Sequence, residues 1–192
     1  MTAPIDAQLV ARAARSDPDA TECLFASVRP RVLRYCRARL TGVTGSYHLV
    51  DDITQDVCVA LINALPTYRD QGRPFSAFVY AVARRKIADV YDAATRAETA
   101  AGGDLPDQPD DHDGPERLAM AEDVRQRMRH LLDRLPPTER EIIVLRVALR
   151  MSAEDVGRTL GMSAGAVRVR QMRAMATLKR ISRGHLSPGD LR

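Results

Sequence analysis

Apolar positions along this chain recur every three or four residues, and no stretch alternates with period two long enough to read as a strand. From Glu22 to Leu40, the residues Leu24, Val28, Val32, Tyr35 and Arg39 are roughly in phase, which predicts a first long helix that Pro30 kinks or bounds. A second helix is predicted from Leu49 or Val50. Its stripe is Val50, Ile53, Val57, Leu61 and Leu65, closed by Pro66, and its other face carries Asp52, Gln55, Asp56 and Asn63. A third runs from about Pro74 to Thr95. There Phe75, Phe78, Val79 and Val82 form one stripe, continued with a rotation by Ile87, Val90, Tyr91 and Ala94. The loop between these two, TYRDQGRPF, holds Arg69 and Arg73.

Further on, Val124, Met128, Leu131 and Leu135 predict another helix ending at Pro136-Pro137. The next begins at TERE, where Thr138 and Glu141 are spaced as a capping box, and Ile142, Ile143, Leu145 and Leu149 supply its buried face. In MSAEDVGRTLGMSAGAVRVRQMRAMATLKR, Ser152 is a cap, Val156 and Leu160 point inward, Gly161 ends the helix in a tight turn, and Ser163 caps the next. This is a helix-turn-helix, whose projecting second helix fits the major groove of DNA, about 12 Å wide. Val167, Gln171, Ala174 and Leu178 share one phase of that helix, whereas Arg168, Arg170 and Arg173 lie off it. From Ala164 to Leu186 there are six Lys/Arg and no acid. Such arginines meet phosphates or offer guanidinium forks to guanine, and a solvated face would carry the same residues.

Charge sharpens the organisation. Of a net +4, residues 98–116 contribute seven carboxylates and no Lys or Arg, while residues 117–192 hold 16 Lys/Arg against 8 Asp/Glu. The strip from Glu98 to Glu116 also holds three Pro and three Gly, too little apolar surface to offset the entropy of ordering, and reads as a flexible acidic linker. The expected fold is therefore all-α. Residues 1–20 form a lead-in, 21–97 and 117–186 two small helical domains on either side of the 98–116 linker, and 187–192 a tail. Cys23, Cys36 and Cys58 are odd in number and lack zinc or redox spacing, no apolar run approaches the ~20 residues of a membrane span, and the N-terminus has no signal-type core. A cytoplasmic protein is expected. With no phosphate-binding glycine loop and no nucleophile-base arrangement, no enzymatic activity, catalytic residue, cofactor or metal is expected.

The two halves carry a resemblance. DDITQDVCVALINALPTYRDQGRPFSAFVYAVARRKIADVYDAATR resembles region 2, and LPPTEREIIVLRVALRMSAEDVGRTLGMSAGAVRVRQMRAMATLKR resembles region 4, of the extracytoplasmic-function (group 4) sigma factors of the sigma-70 family, with the first especially similar to actinobacterial sigma-D-type members. The resemblance implies a specificity subunit of bacterial RNA polymerase. Asp51, Asp52, Gln55 and Asp56 would dock on the clamp helices of the largest subunit, and the chain would also meet the flap of the second-largest. Arg69, Arg73, Phe78, Arg84, Arg85 and Lys86 would open and hold the minus 10 element, while Ser163, Arg168, Arg170, Gln171 and Arg173 would read the minus 35 element. An anti-sigma factor is a further implied partner. Gln171 stands where many relatives have an apolar residue, and Phe78 where the motif usually has tryptophan. For base stacking the candidates are Phe75, Phe78, Tyr80 and Tyr91, although Phe75 and Phe78 fit a core role too. Two other readings fit the residues: a stand-alone helix-turn-helix regulator whose first domain dimerises or senses, and an adaptor that binds protein through its acidic helix face.

Overall fold

The structure, a computed structural model, describes residues 5–40, 46–101, 124 and 126–185, of which 46–48, 94–101 and 183–185 are described by their backbone alone. All regular structure among them is helical. Before the acidic strip lie α1 (Ala7–Ala13), α2 (Pro18–Arg39), α3 (Ser46–Ala64) with a 3-10 turn at Leu65–Thr67, and α4 (Phe75–Ala101). After it come α5 (126–133), α6 (Pro137–Ile143) running into a single π turn at Val144–Ala148, α7 (Ala153–Leu160) and α8 (Ala164–His185).

The first helix lies where the sequence promised only a lead-in. Its start is set by Asp6, which accepts from the backbone N–H of Gln8, and Val10 and Ala13 bury its inner face against α2. The short link to α2 is stapled by Asp17. Its carboxylate caps α2 through the N–H of Ala20 and takes the guanidinium of Arg12 at 2.8 Å, and these two contacts hold the Asp17 carboxyl below the usual carboxylate range. Pro30 neither ends nor bounds α2. It sits on the solvent side, and the helix runs on to Arg39 because packing holds both flanks.

The hub of the fold is α2, packed against α1, α3, α4 and the π turn. Leu24, Val28, Val32, Tyr35 and Cys36 are fully buried along it. Each such aliphatic side chain contributes about 1.5–3 kcal/mol by leaving water. The stripes of α3 (Val50, Ile53, Val57, Leu61) and α4 (Phe75, Val79, Ala83, Ile87) close over this hub. Ile142, Val144, Leu145, Leu149, Val156 and Val167 of the C-terminal half join the same buried cluster. The two halves therefore share a core. A smaller cluster of Leu135, Ile143 and Ala174, lined by Leu132 and Leu178, belongs to the C-terminal half alone.

Two details depart from the sequence pattern here. Val124 and Met128 are exposed, whereas Leu135 of the predicted stripe is buried just beyond the end of α5, with Leu132 packed in the same cluster. Residues 98–101, assigned to the linker, continue α4. The remainder of the 98–116 linker and the 187–192 tail lie outside the described residues.

Candidate nucleic-acid interface

The helix-turn-helix forms as its caps dictate. Ser152 accepts from the N–H of Asp155 at 3.0 Å and donates its hydroxyl to the Asp155 carboxylate at 2.8 Å, fixing the start of α7. Gly161 ends α7 in the left-handed region (φ 71°), and Ser163 accepts from the N–H of Ala166 at 3.1 Å to open α8. The two helices approach so closely that a Cβ on Gly157 would stand 2.6 Å from the carbonyl oxygen of Met162. Val167 and Ala174 are buried on the inner face of α8, as their phase requires.

Two arginines of α8 have carboxylate partners. Arg168 pairs with Glu154 of α7, and Arg170 with Glu139 of α6 at 2.9 Å, so carboxylates distant in sequence return to the helix in space. Arg168 also helps hold the Glu154 carboxyl low, after the larger effect of the backbone N–H of Glu154 itself. Both arginines remain exposed, as does Arg173. Gln171 lies on the inward stripe, where its side-chain oxygen accepts from Nε of Arg146 at 2.9 Å. This contact turns the Gln171 side chain toward the π turn. Arg146 also bonds the carbonyl of Met151, tying the end of the π turn to α8.

In the N-terminal half, Asp51, Asp52, Gln55 and Asp56 are all exposed on the outer face of α3, with Val59 and Ile62 continuing that face. Lys86 of α4 reaches Asp56 at 3.7 Å, so two residues assigned to different surfaces meet across one ion pair. Arg84 and Arg85 are exposed beside it on α4. Arg69 is exposed in the α3–α4 loop, whose bend uses Gly72 at φ 75° and the Asp70 carboxylate accepting from the Gly72 N–H at 2.8 Å. Arg73 leaves that loop for the other half. Its guanidinium donates to the carbonyl of Thr159 in α7 at 2.5 Å and lies 3.4 Å from where a Cβ of Gly161 would be.

The aromatic candidates divide. Phe75 and Tyr80 are buried, and burial pushes the Tyr80 hydroxyl up to about 12; Tyr91 is half-buried, its hydroxyl donating to the carbonyl of Arg39 at 2.9 Å. Phe78 is half-buried in a cluster with Phe75 (5.8 Å between centroids) and Tyr68 (5.3 Å). Tyr68 was not singled out in the sequence because it stands alone in a loop, outside any stripe. With α1, the same loop encloses a cleft of about 340 Å³ lined by Val10, Arg15, Tyr68, Arg69, Arg73 and Phe75. Among the described residues no group of three or more His, Cys, Asp or Glu could hold a metal ion, and no helix is long and apolar enough to cross a membrane.

Comparison with known proteins agrees with this geometry. Residues 24–97 match the Sigma-70 region 2 family and residues 125–178 the Sigma-70 region 4 family. The chain is 48% identical over 178 residues to the ECF RNA polymerase sigma factor ShbA of Streptomyces griseus, covering 91% of this chain and 93% of that one. It is 44% identical over 171 residues to the ECF RNA polymerase sigma factor SigD of Mycobacterium tuberculosis, covering 89% and 81%. Among solved structures, CnrH in complex with the cytosolic domain of CnrY superimposes with a TM-score of 0.61 at 29% identity, over 93% of this chain and 97% of that one.

Proposed function

The chain belongs to the extracytoplasmic-function RNA polymerase sigma factors of the sigma-70 family, and from that premise we propose how its residues divide the work of promoter-directed initiation. A sigma factor binds core RNA polymerase and directs it to promoters; the bond-making chemistry is the polymerase's, so this chain needs no catalytic group of its own. Its place of action would be the cytoplasm.

The observation that carries the reading is the coexistence, in chain order, of an exposed acidic face on α3, an arginine-flanked aromatic cleft beneath the α3–α4 loop, and a capped helix-turn-helix. Asp51, Asp52, Gln55 and Asp56 would dock on the clamp helices of the largest subunit. The cleft between α1 and the loop is the size of a small-molecule site, with Tyr68 and Phe75 as stacking walls and Arg69 and Arg73 for phosphates. It would hold an unstacked base of the non-template minus 10 strand, while Phe78, Arg84, Arg85 and Lys86 track its backbone. A stacked base is worth about 1–3 kcal/mol, enough to help keep a few base pairs open.

On α8, Ser163, Arg168, Arg170 and Arg173 would meet the minus 35 duplex. Glu154 and Glu139 tune this surface, because Arg168 and Arg170 must exchange a carboxylate for a phosphate or base edge. Gln171 would act from beneath, through Arg146. CnrH was solved with a cytosolic domain of another protein, which supports an anti-sigma factor as a further partner here.

Purified chain added to core polymerase should give run-off transcripts from a template with spaced minus 35 and minus 10 elements and none without the chain. Duplex binding by the chain alone with no core-dependent start would instead favour a stand-alone regulator.

A further inference from the structure

Residues 23–50 hold five arginines, Arg29, Arg31, Arg34, Arg37 and Arg39, and no carboxylate. All five lie on α2, a helix with no DNA contact assigned to it. Two of them turn away from α4 or inward: Arg39 approaches Glu141 at 3.7 Å, and Arg29 lies toward α3, where its charge opposes the upward push of burial on the Cys58 thiol. Arg31 and Arg34 serve the other flank. Burial raises the Tyr80 hydroxyl of α4, and these two guanidiniums, close by, oppose it. From α4 itself comes Arg84, four residues beyond Tyr80 and so on the same side of the helix. Burial and Glu141 raise the hydroxyl of Tyr35, and Arg39 and Arg84 oppose them. The rings of Tyr35 and Tyr80 pack at 5.2 Å between centroids. Arg31, Arg34 and Arg84 therefore gather from two helices around one tyrosine pair. Arg34 and Arg84 are exposed and Arg31 is half-buried. Like charge is crowded here: burial first, and Arg34 after it, pull the Arg31 guanidinium below its ordinary value, with Tyr80 acting against them.

We propose that Arg31 and Arg34 are positioning residues for promoter DNA, forming with Arg84 a phosphate track along the groove between α2 and α4 that guides the non-template strand away from the cleft. The proposal rests on the promoter-directed reading and adds α2 to it. Distance along α4 supports the track. Phe75 lines the cleft and opens the helix, and Arg84 follows nine residues later, ~14 Å away at ~1.5 Å per residue. A stacked strand sets its phosphates ~3.4 Å apart, so roughly four of them cover that span. Tyr80 stands near its middle, five residues from Phe75 and four from Arg84. Phosphates leaving the cleft thus meet cations supplied by α2 at mid-span before they reach Arg84. A guanidinium can fork onto two phosphate oxygens, and a polyanion relieves the crowding of like charge that the free chain carries.

The test uses core polymerase loaded with the full chain. Binding of a fluorescent single-stranded oligonucleotide carrying the non-template minus 10 element is titrated from about 50 to about 200 mM salt, where each phosphate contact on a single strand adds about 0.7 to the slope of log affinity against log salt. Arg31→Gln with Arg34→Gln should flatten the slope by about 1.4 and lower affinity about tenfold or more at the low-salt end. Arg31→Lys with Arg34→Lys, which keeps the charge, should restore most of the slope. Arg29→Gln, on the opposite flank, should leave it unchanged. Where the double variant loses helix, Arg34→Gln alone, at an exposed position, should flatten the slope by about 0.7.

An unchanged slope overturns the proposal, and so does equal flattening by Arg29→Gln, which would report net charge alone. Weakened association of the double variant with core polymerase, at an unchanged slope, would assign the arginines to an acidic protein surface and overturn it too. Wild-type complex that binds the minus 10 oligonucleotide no better than a scrambled one counts against the promoter-directed reading, whereas the slopes measured on either oligonucleotide still judge the track.

Discussion

Single residues show best where sequence reasoning reaches its end. Thr138 and Glu141 have the spacing of a capping box, but α6 starts at Pro137 with no side-chain cap, and Glu141 turns inward to Tyr35. Spacing alone could not reveal this, because the partner is 106 residues away. The same holds for Arg168 and Arg170, whose carboxylates arrive from α7 and α6. By contrast Ser152, Gly161 and Ser163 were legible, since a cap is a local bond between near neighbours. Two predictions belong at this scale. Gly157→Ala should destabilise the C-terminal half by about 1–3 kcal/mol in thermal or denaturant unfolding, because its Cβ would overlap the carbonyl of Met162 at 2.6 Å. Cys36 should resist iodoacetamide at pH 8 while Cys23 reacts. Burial pushes the Cys36 thiol up to about 11, so its reactive thiolate is scarce until the pH climbs towards that value, and labelling as fast as at exposed Cys23 would contradict it.

At the scale of elements, the helices with a clean apolar stripe were legible and the others were not. The stripes of α3 and α4 face inward as their periodicity requires. The α1 helix, only seven residues, has too short a pattern to stand out and is stabilised by what it packs on. Continuity of α2 through Pro30 is likewise a tertiary outcome, because the ring faces solvent and Val28 and Val32 are buried on either side. The acidic face of α3 provides a prediction for the element. Asp52→Ala with Asp56→Ala should weaken association with core polymerase about tenfold or more in a pull-down titration, with helix content unchanged, since both carboxylates are exposed and, among the described residues, Lys86 alone loses an ion-pair partner. Undiminished polymerase affinity would remove α3 from the docking surface. Ser152→Ala should cost about 1 kcal/mol of stability through the lost cap of α7, and a change near zero would show that packing alone positions the helix-turn-helix.

For the whole molecule, the sequence pointed to two helical parts around an acidic strip. The family matches fall on either side of that strip, at residues 24–97 and 125–178. What was not legible is that the parts share one core, because the residues that join them, Tyr35, Glu141, Val144 and Leu145, each look like ordinary members of their own helix. This joint packing explains why an arginine of the α3–α4 loop is held by the helix-turn-helix. The proposed function asks these two halves to make two contacts on one promoter. Permanganate footprinting of core polymerase plus this chain on a supercoiled promoter tests that account most directly. Thymines of the minus 10 element should become reactive only when both chain and core are present, with protection of the minus 35 duplex in the same complex. Reactivity with core alone, or minus 35 protection by the complex with no opening at minus 10, would contradict it.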